Sequence, residues 1–223
     1  MAAFALAVST VLAQETAPDA REILETARLG QTVQHRVLVG QLRNDDRIAP
    51  FRLVLNGSEI HYEFSEPDEA LILKLGENQS RLDIERGGKR APVSHFDEKV
   101  RGSDITYEDL ALRFLYWPVA KVEGDQVILT RRCWKLRLEP GSVQSQYGMV
   151  ILWVEKQSGA LLRADCYDRA GNFSKRFEVR SVQKIDGGWL LKRMSISQME
   201  NGRAVDKSPT YLEIEGNADQ VSR

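Results

Sequence analysis

A mainly β fold is what the pattern of this chain predicts: a strongly curved antiparallel sheet, a half-open and incomplete barrel of about ten or eleven strands, covered by two or three helices. Three observations predict it. Apolar residues recur with a period of two through most of the chain. The alternating segments are joined by short turns rich in glycine and asparagine, which suit antiparallel neighbours. Only two stretches, near residues 18–29 and 106–117, carry the spacing of a one-sided helix. That many half-buried strands in one flat sheet would leave long exposed edges, so the sheet must curl.

The first helical stretch begins at Pro18-Asp19 and ends at Gly30, with Ile23, Leu24 and Ala27 as its apolar stripe. From Gln31 the period becomes two. Val33, His35, Val37 and Val39 alternate with Gln34, Arg36 and Leu38, which assigns the apolar face to the first set. Phe51, Leu53 and Leu55 precede an Asn56-Gly57 turn and then Ile60, Tyr62 and Phe64, a hairpin signature. Further strands are expected over 70–75 and 80–86, before Gly87-Gly88.

The segment 87–118 departs from this pattern. Thr106 and Asp109 have the spacing of a capping box, and Leu110, Phe114 and Trp117 then form a stripe ended by Pro118, which predicts a helix of about three turns over 106–117. Such a helix either plugs one end of the barrel or lines the mouth of a cavity. Strands resume over 127–139, where Trp134, Leu136 and Leu138 share a face. They continue near 147–154, where Tyr147, Met149, Ile151 and Trp153 are set opposite Val150, Leu152 and Val154. That strand is apolar on both faces and should be central. Strands over 160–167, 173–185, 189–199 and 210–215 complete the series.

Length and charge narrow the function classes. The 223 residues suffice for one domain, expected over 14–223, and 31 basic residues against 32 acidic ones leave a net charge of -1. Nothing in that balance steers the protein toward nucleic acid. Residues 1–13 are uncharged, apolar and end with Val11 and Ala13 at the spacing a signal peptidase accepts, as in a short signal peptide or its remnant. Export follows as an expectation, and Gln14 after the cut argues against a lipid anchor. The two cysteines, Cys133 and Cys166, either pair or stay free; in a simple meander an intervening strand separates them beyond disulfide reach.

Catalytic patterns are absent. His35, His61 and His95 have no metal-ligand spacing, and no nucleophile elbow, phosphate-cradling loop or dinucleotide fingerprint occurs, so neither enzymatic activity nor a cofactor is expected. The densest acidic group, Asp104, Glu108 and Asp109, suits a helix start without any ion. Large apolar residues are the better clue. Phe51, Leu53, Tyr62, Phe64, Phe114, Trp117, Trp134, Met149 and Trp153 are the candidate ligand-binding residues, set on apolar faces of separate strands or along the second helix. They either line a hollow that takes acyl chains or interlock and fill it.

Gly102-Ser103-Asp104-Ile105-Thr106-Tyr107-Glu108-Asp109-Leu110 resembles the glycine-serine/threonine-aspartate-phenylalanine-serine-tyrosine-glutamate-aspartate-leucine signature of the outer-membrane lipoprotein-sorting protein family, a branch of the LolA-like group. Ile105 and Thr106 depart mildly from it. Val150 to Lys156, Tyr167 to Asn172, Lys175, Asp186 to Trp189 and Thr210 to Ile214 are similar to further marks of that family, in the same order, so the likeness spans about Ala20 to Glu215. The resemblance implies a LolA/LolB-like fold and a soluble periplasmic carrier that binds the acyl chains of lipoproteins or other membrane lipids in an apolar cavity and moves them toward the outer membrane. An inner-membrane transporter or an outer-membrane acceptor is the implied partner. The alternative is an accessory or interaction protein of a lipid-exporting transporter, with no cargo of its own. Cargo and oligomeric state are not set by any residue match.

Overall fold

The computed structural model describes residues 18–32, 35–45, 47–205 and 209–218. The expected signal segment, residues 1–13, lies outside them. Fourteen strands among the described residues form one antiparallel sheet. The chain runs outward through β1 (His35–Asn44), β2 (Arg47–Asn56), β3 (Glu59–Ser65), β4 (Asp68–Leu75), β5 (Ser80–Arg86) and β6 (Lys89–Pro92), each paired with the one before. A long connection then crosses to the opposite edge, β7 (Val119–Ile128). From there β8 (Arg131–Glu139), β9 (Tyr147–Glu155), β10 (Leu161–Asp168), β11 (Phe173–Ile185) and β12 (Gly188–Glu200) return toward the middle. The two-residue β13 (Arg203–Ala204) pairs with β12, and β14 (Thr210–Asn217) is hydrogen-bonded between β12 and β1. The sheet stays open, with β6 and β7 as its two edges.

Helices cover one face. In α1 (Ala20–Thr32), Ala20, Ile23, Leu24 and Ala27 are buried against Leu115, Leu136 and Leu152, the stripe expected from the sequence. The crossing connection carries α2 (Tyr107–Leu110), capped by Thr106 and Asp109 in a complete capping box. Here the structure corrects the expected three-turn helix. Leu112 adopts a left-handed backbone (φ 49°), α2 stops after one turn, and a separate 3-10 turn follows over Arg113–Tyr116. Leu110, Phe114 and Trp117 are all buried nonetheless, because the break re-aims the chain along the sheet instead of away from it.

Three strand expectations are also corrected. The long strand over 127–139 is a hairpin, β7 and β8, turning at Leu129-Thr130, both with positive φ. Edge strand β7 is largely exposed, so it shows little apolar alternation, and its turn lacks the usual Asn-Gly. Edge strand β6, which the sequence assigned to the irregular stretch, is exposed throughout and ends in Pro92. In β1 the buried face is Leu38, Gly40 and Leu42, not the valine set; Val33 and Gln34 lie outside the described residues. A Cβ at Gly40 would collide with the Glu213 carbonyl oxygen and the Phe51 ring, so this face is chosen by close approach of neighbouring strands.

Cys133 and Cys166 are free and fully buried. They lie on β8 and β10 with β9 between them, opposite Glu155 and Val150, positions of unlike parity on that strand; the two thiols therefore point to opposite faces of the sheet.

Candidate functional site

One end of the curled sheet is shut by the crossing connection, and acidic side chains hold it there. Asp104 Oδ2 accepts hydrogen bonds from Asn44 Nδ2 at 3.0 Å and from the Thr210 hydroxyl at 2.9 Å, tying the connection to β1 and β14. Asp109 Oδ2 takes the Thr106 backbone N–H at 2.8 Å and the Lys175 ammonium of β11 at 2.8 Å, while Oδ1 accepts from the Tyr147 hydroxyl of β9 at 2.7 Å. Gln146 completes the attachment: its backbone N–H donates to Glu108 Oε2 and its Nε2 to Thr106 Oγ1. The Arg101 guanidinium lies over the Phe64 ring and donates to the Pro67 carbonyl at 2.6 Å. The acidic cluster is thus an internal fastening. No group of three or more His, Cys, Asp or Glu among the described residues has metal-binding geometry.

Above this floor lies a cavity of about 790 Å³. Its wall includes Leu53 of β2 and Ala164 of β10, which are five positions apart in the strand order. At about 4.8 Å per strand those positions would be roughly 24 Å apart in a flat sheet, so shared lining requires the sheet to wrap around the space. Leu38, Leu73, Leu152, Phe177, Ile196 and Ile214 extend the wall across the sheet, and Leu110, Leu112 and Phe114 form its helical side. Asp109 is at the floor, already paired. At the far end the lining passes to exposed Leu129, Gln157, Ser158 and Trp189, so the cavity opens where the β7–β8 turn, the β9–β10 turn and the β11–β12 tip lie together.

Of the nine candidate residues, Leu53, Tyr62 and Phe114 line this cavity. Phe51 and Phe64 pack edge-on to each other in the core behind it, with ring centroids 5.8 Å apart. Trp117 is buried under α1, its indole N–H without a partner among the described residues. Trp134 packs in the same core with the Lys156 ammonium 3.5 Å from its ring centroid. Met149 and Trp153 leave β9 on the face opposite Val150, Leu152 and Val154, and the Trp153 indole donates to Gln126. An irregularity in the β9–β10 register between Tyr147 and Met149 returns Tyr147 to the helix-covered face, which overturns the expected grouping of Tyr147 with Trp153.

The wall residues that sequence reasoning missed are mid-sized aliphatics of the central strands, such as Met194, Ile196, Leu212 and Ile214. A hollow survives where side chains stop short, and large aromatics fill space instead. Their signal was the apolar register of β12 and β14, strands that the topology places centrally. Tyr62 is half-buried because it faces the cavity; burial pushes its hydroxyl up to about 12, so it remains a neutral wall group. Burial first, then the Asp109 charge, raise the Tyr147 hydroxyl as well, which keeps it a donor to that carboxylate.

Residues 87–216, more than half of the chain, match a family model described as an uncharacterized protein family. No curated protein matches the chain. Several solved structures share its fold. A putative outer membrane lipoprotein-sorting protein domain from Vibrio parahaemolyticus aligns with TM-score 0.66 and 16% identity, over 88% of this chain and 90% of that one. A DUF1329 family protein from Desulfovibrio piger gives 0.63 and 17%, over 89% and 92%. A LolA superfamily protein from Nitrosomonas europaea gives 0.62 and 17%, also over 89% and 92%. At these identities the likeness concerns the fold, which is LolA-like.

Proposed function

The chain belongs to the family defined over residues 87–216, with a LolA-like fold, and from that premise we propose that it is an exported, periplasmic carrier of acyl chains, delivering lipoproteins or other membrane lipids toward the outer membrane. The single observation that carries this reading is the open, mainly apolar cavity of about 790 Å³ beneath the helices. A methylene fills about the share of one liquid water, roughly 30 Å³. The space therefore takes roughly 25 carbons, one long chain with room to spare. At about 0.8 kcal/mol per buried CH₂, ten methylenes contribute about 8 kcal/mol, the size of a micromolar affinity before ordering costs.

Support for export comes from the apolar residues 1–13 and from the family resemblance. No helix among the described residues is long and apolar enough to cross a membrane. Non-enzymatic action accords with a cavity floor whose carboxylate, Asp109, is committed to Lys175 and Tyr147.

Native mass spectrometry of gently purified protein should detect bound lipid, and a fluorescent fatty acid should titrate into the lipid-free chain. Met194→Trp, which fills the wall, should weaken that uptake about tenfold while the protein stays folded by circular dichroism. Absence of both copurifying lipid and uptake by the unmodified chain would overturn the carrier reading.

A further inference from the structure

The open end of the cavity has a composition that carrying a chain does not require. Trp189, Leu129 and Val182 line it yet remain 62%, 50% and 43% exposed. The chain has four tryptophans, and the other three are buried or half-buried; Trp189 alone stands in solvent. It is also held rigidly. Arg36 Nη1 donates to the Ile185 carbonyl at 2.8 Å, Gln183 Nε2 to the Ile214 carbonyl at 2.7 Å, and Asn217 Nδ2 to Asp186 Oδ2 at 2.9 Å, so the β11–β12 tip is braced against β1 and β14. An exposed indole on a fixed hairpin exchanges water for a partner with little loss of conformational freedom.

Charge indicates which partner. Lys184 is the cross-strand neighbour of Trp189, so the two side chains leave the same face of the tip. Arg131 stands two residues beyond Leu129 and also lines the rim. Neither cation has a carboxylate within 4.0 Å among the described residues, and Arg36 bonds only a carbonyl there. The carboxylates at this end are engaged: Asp186 by Asn217, Glu155 by the Ser158 hydroxyl and backbone N–H with a smaller, longer-range pull from the Arg131 charge, and Asp125 by Arg132 and Lys156.

Indole, aliphatic and cations free of direct salt bridges at one rim match the interfacial zone of a bilayer, where tryptophan sits at headgroup level and lysine and arginine meet lipid phosphates. We propose that this rim docks the open end of the cavity on an anionic membrane surface, with Trp189 and Leu129 entering the headgroup region and Arg131 and Lys184 facing the phosphates. This goes beyond the carrier reading, because a carrier served only by protein partners needs no such rim.

The test uses the full chain with vesicles of phosphatidylglycerol in phosphatidylcholine, and of phosphatidylcholine alone. Flotation should recover the protein with the anionic vesicles only, salt should release it, and tryptophan emission should shift to the blue on binding. Trp189→Ser should abolish both flotation and shift. Lys184→Glu, which lies off the cavity wall, should weaken flotation about tenfold and leave fatty-acid uptake unchanged. Both variants should retain the circular dichroism spectrum of the unmodified chain. Failure of the unmodified chain to float at low salt, or flotation of Trp189→Ser equal to it, would overturn the proposal, including the case in which Trp189 serves a protein partner instead. Uptake without flotation would leave the carrier reading standing; flotation without uptake would remove that reading and leave the docking surface.

Discussion

Asp109 shows how one side chain is shared between local and tertiary structure. It caps the first turn of α2 through the Thr106 N–H and, from the same carboxylate, receives Lys175 and Tyr147 from strands on the other side of the cavity floor. Both ions of the Asp109–Lys175 pair are nearly inaccessible, 1% and 5% exposed. Removing one partner leaves an uncompensated buried charge. Lys175→Met should therefore cost about 3–5 kcal/mol in urea unfolding, and Asp109→Asn with Lys175→Met should cost less than the sum of the single changes. Additive losses would show that the pair is not coupled. Asp165 illustrates the same chemistry with a pH signature. Burial opposes its charge, but the Arg176 and Arg163 guanidiniums outweigh that and hold its carboxyl below the usual range. Its folded pKa is lower than an unfolded value of about 3.9, so its stabilisation is complete above about pH 4 and disappears as pH falls through the folded value. Asp165→Asn should thus be less stable than the unmodified chain at pH 7, with the gap narrowing at pH 3 in parallel urea titrations.

The β7–β8 hairpin turns through Leu129 (φ 47°) and Thr130 (φ 65°), residues that resist a left-handed backbone. Replacing the pair with Asn-Gly should raise stability by about 1–2 kcal/mol, read as a higher urea midpoint at unchanged slope. No gain would show that the neighbouring strands impose no strain there. The same variant removes Leu129 from the rim and should bind anionic vesicles more weakly, so stability and docking would move in opposite directions. The α2 cap was legible because a capping box is local: Thr106 and Asp109 need only the three-residue spacing. The break at Leu112 was not, since a left-handed leucine is held only by what surrounds it, here the two core clusters it bridges.

The two meanders meet at the β12–β14–β1 seam, and their joint curvature creates the cavity. A chain that binds there stabilises the folded state by mass action. A saturating long-chain fatty acid at about a hundredfold excess over its dissociation constant should add about 2.7 kcal/mol and raise the melting temperature, whereas a short-chain acid at equal concentration should not. The opposite-facing thiols supply a check on the sheet. Burial pushes the Cys133 thiol up to about 11 and also raises that of Cys166 well above its ordinary value. Alkylation at pH 8 should find no reactive cysteine in the folded protein and two after denaturation; a loss of both through oxidation to a disulfide would contradict the strand order.

Period-two alternation, turn chemistry and the Thr106–Asp109 cap are properties of neighbours along the chain, and they were enough to specify a mainly antiparallel, curled sheet with a capped element in its long connection. Edge strands β6 and β7 escaped them because an exposed strand has no buried face to write an alternation. The cavity belongs to no local pattern. Whether Phe51 fills space or Leu53 borders it depends on residues far away in sequence: Phe51 meets Phe64, while Leu53 and Ala164, on strands far apart in the sheet, line the same cavity. Alternation gives each residue a side; only the curling of the sheet decides whether that side meets another side chain or a void.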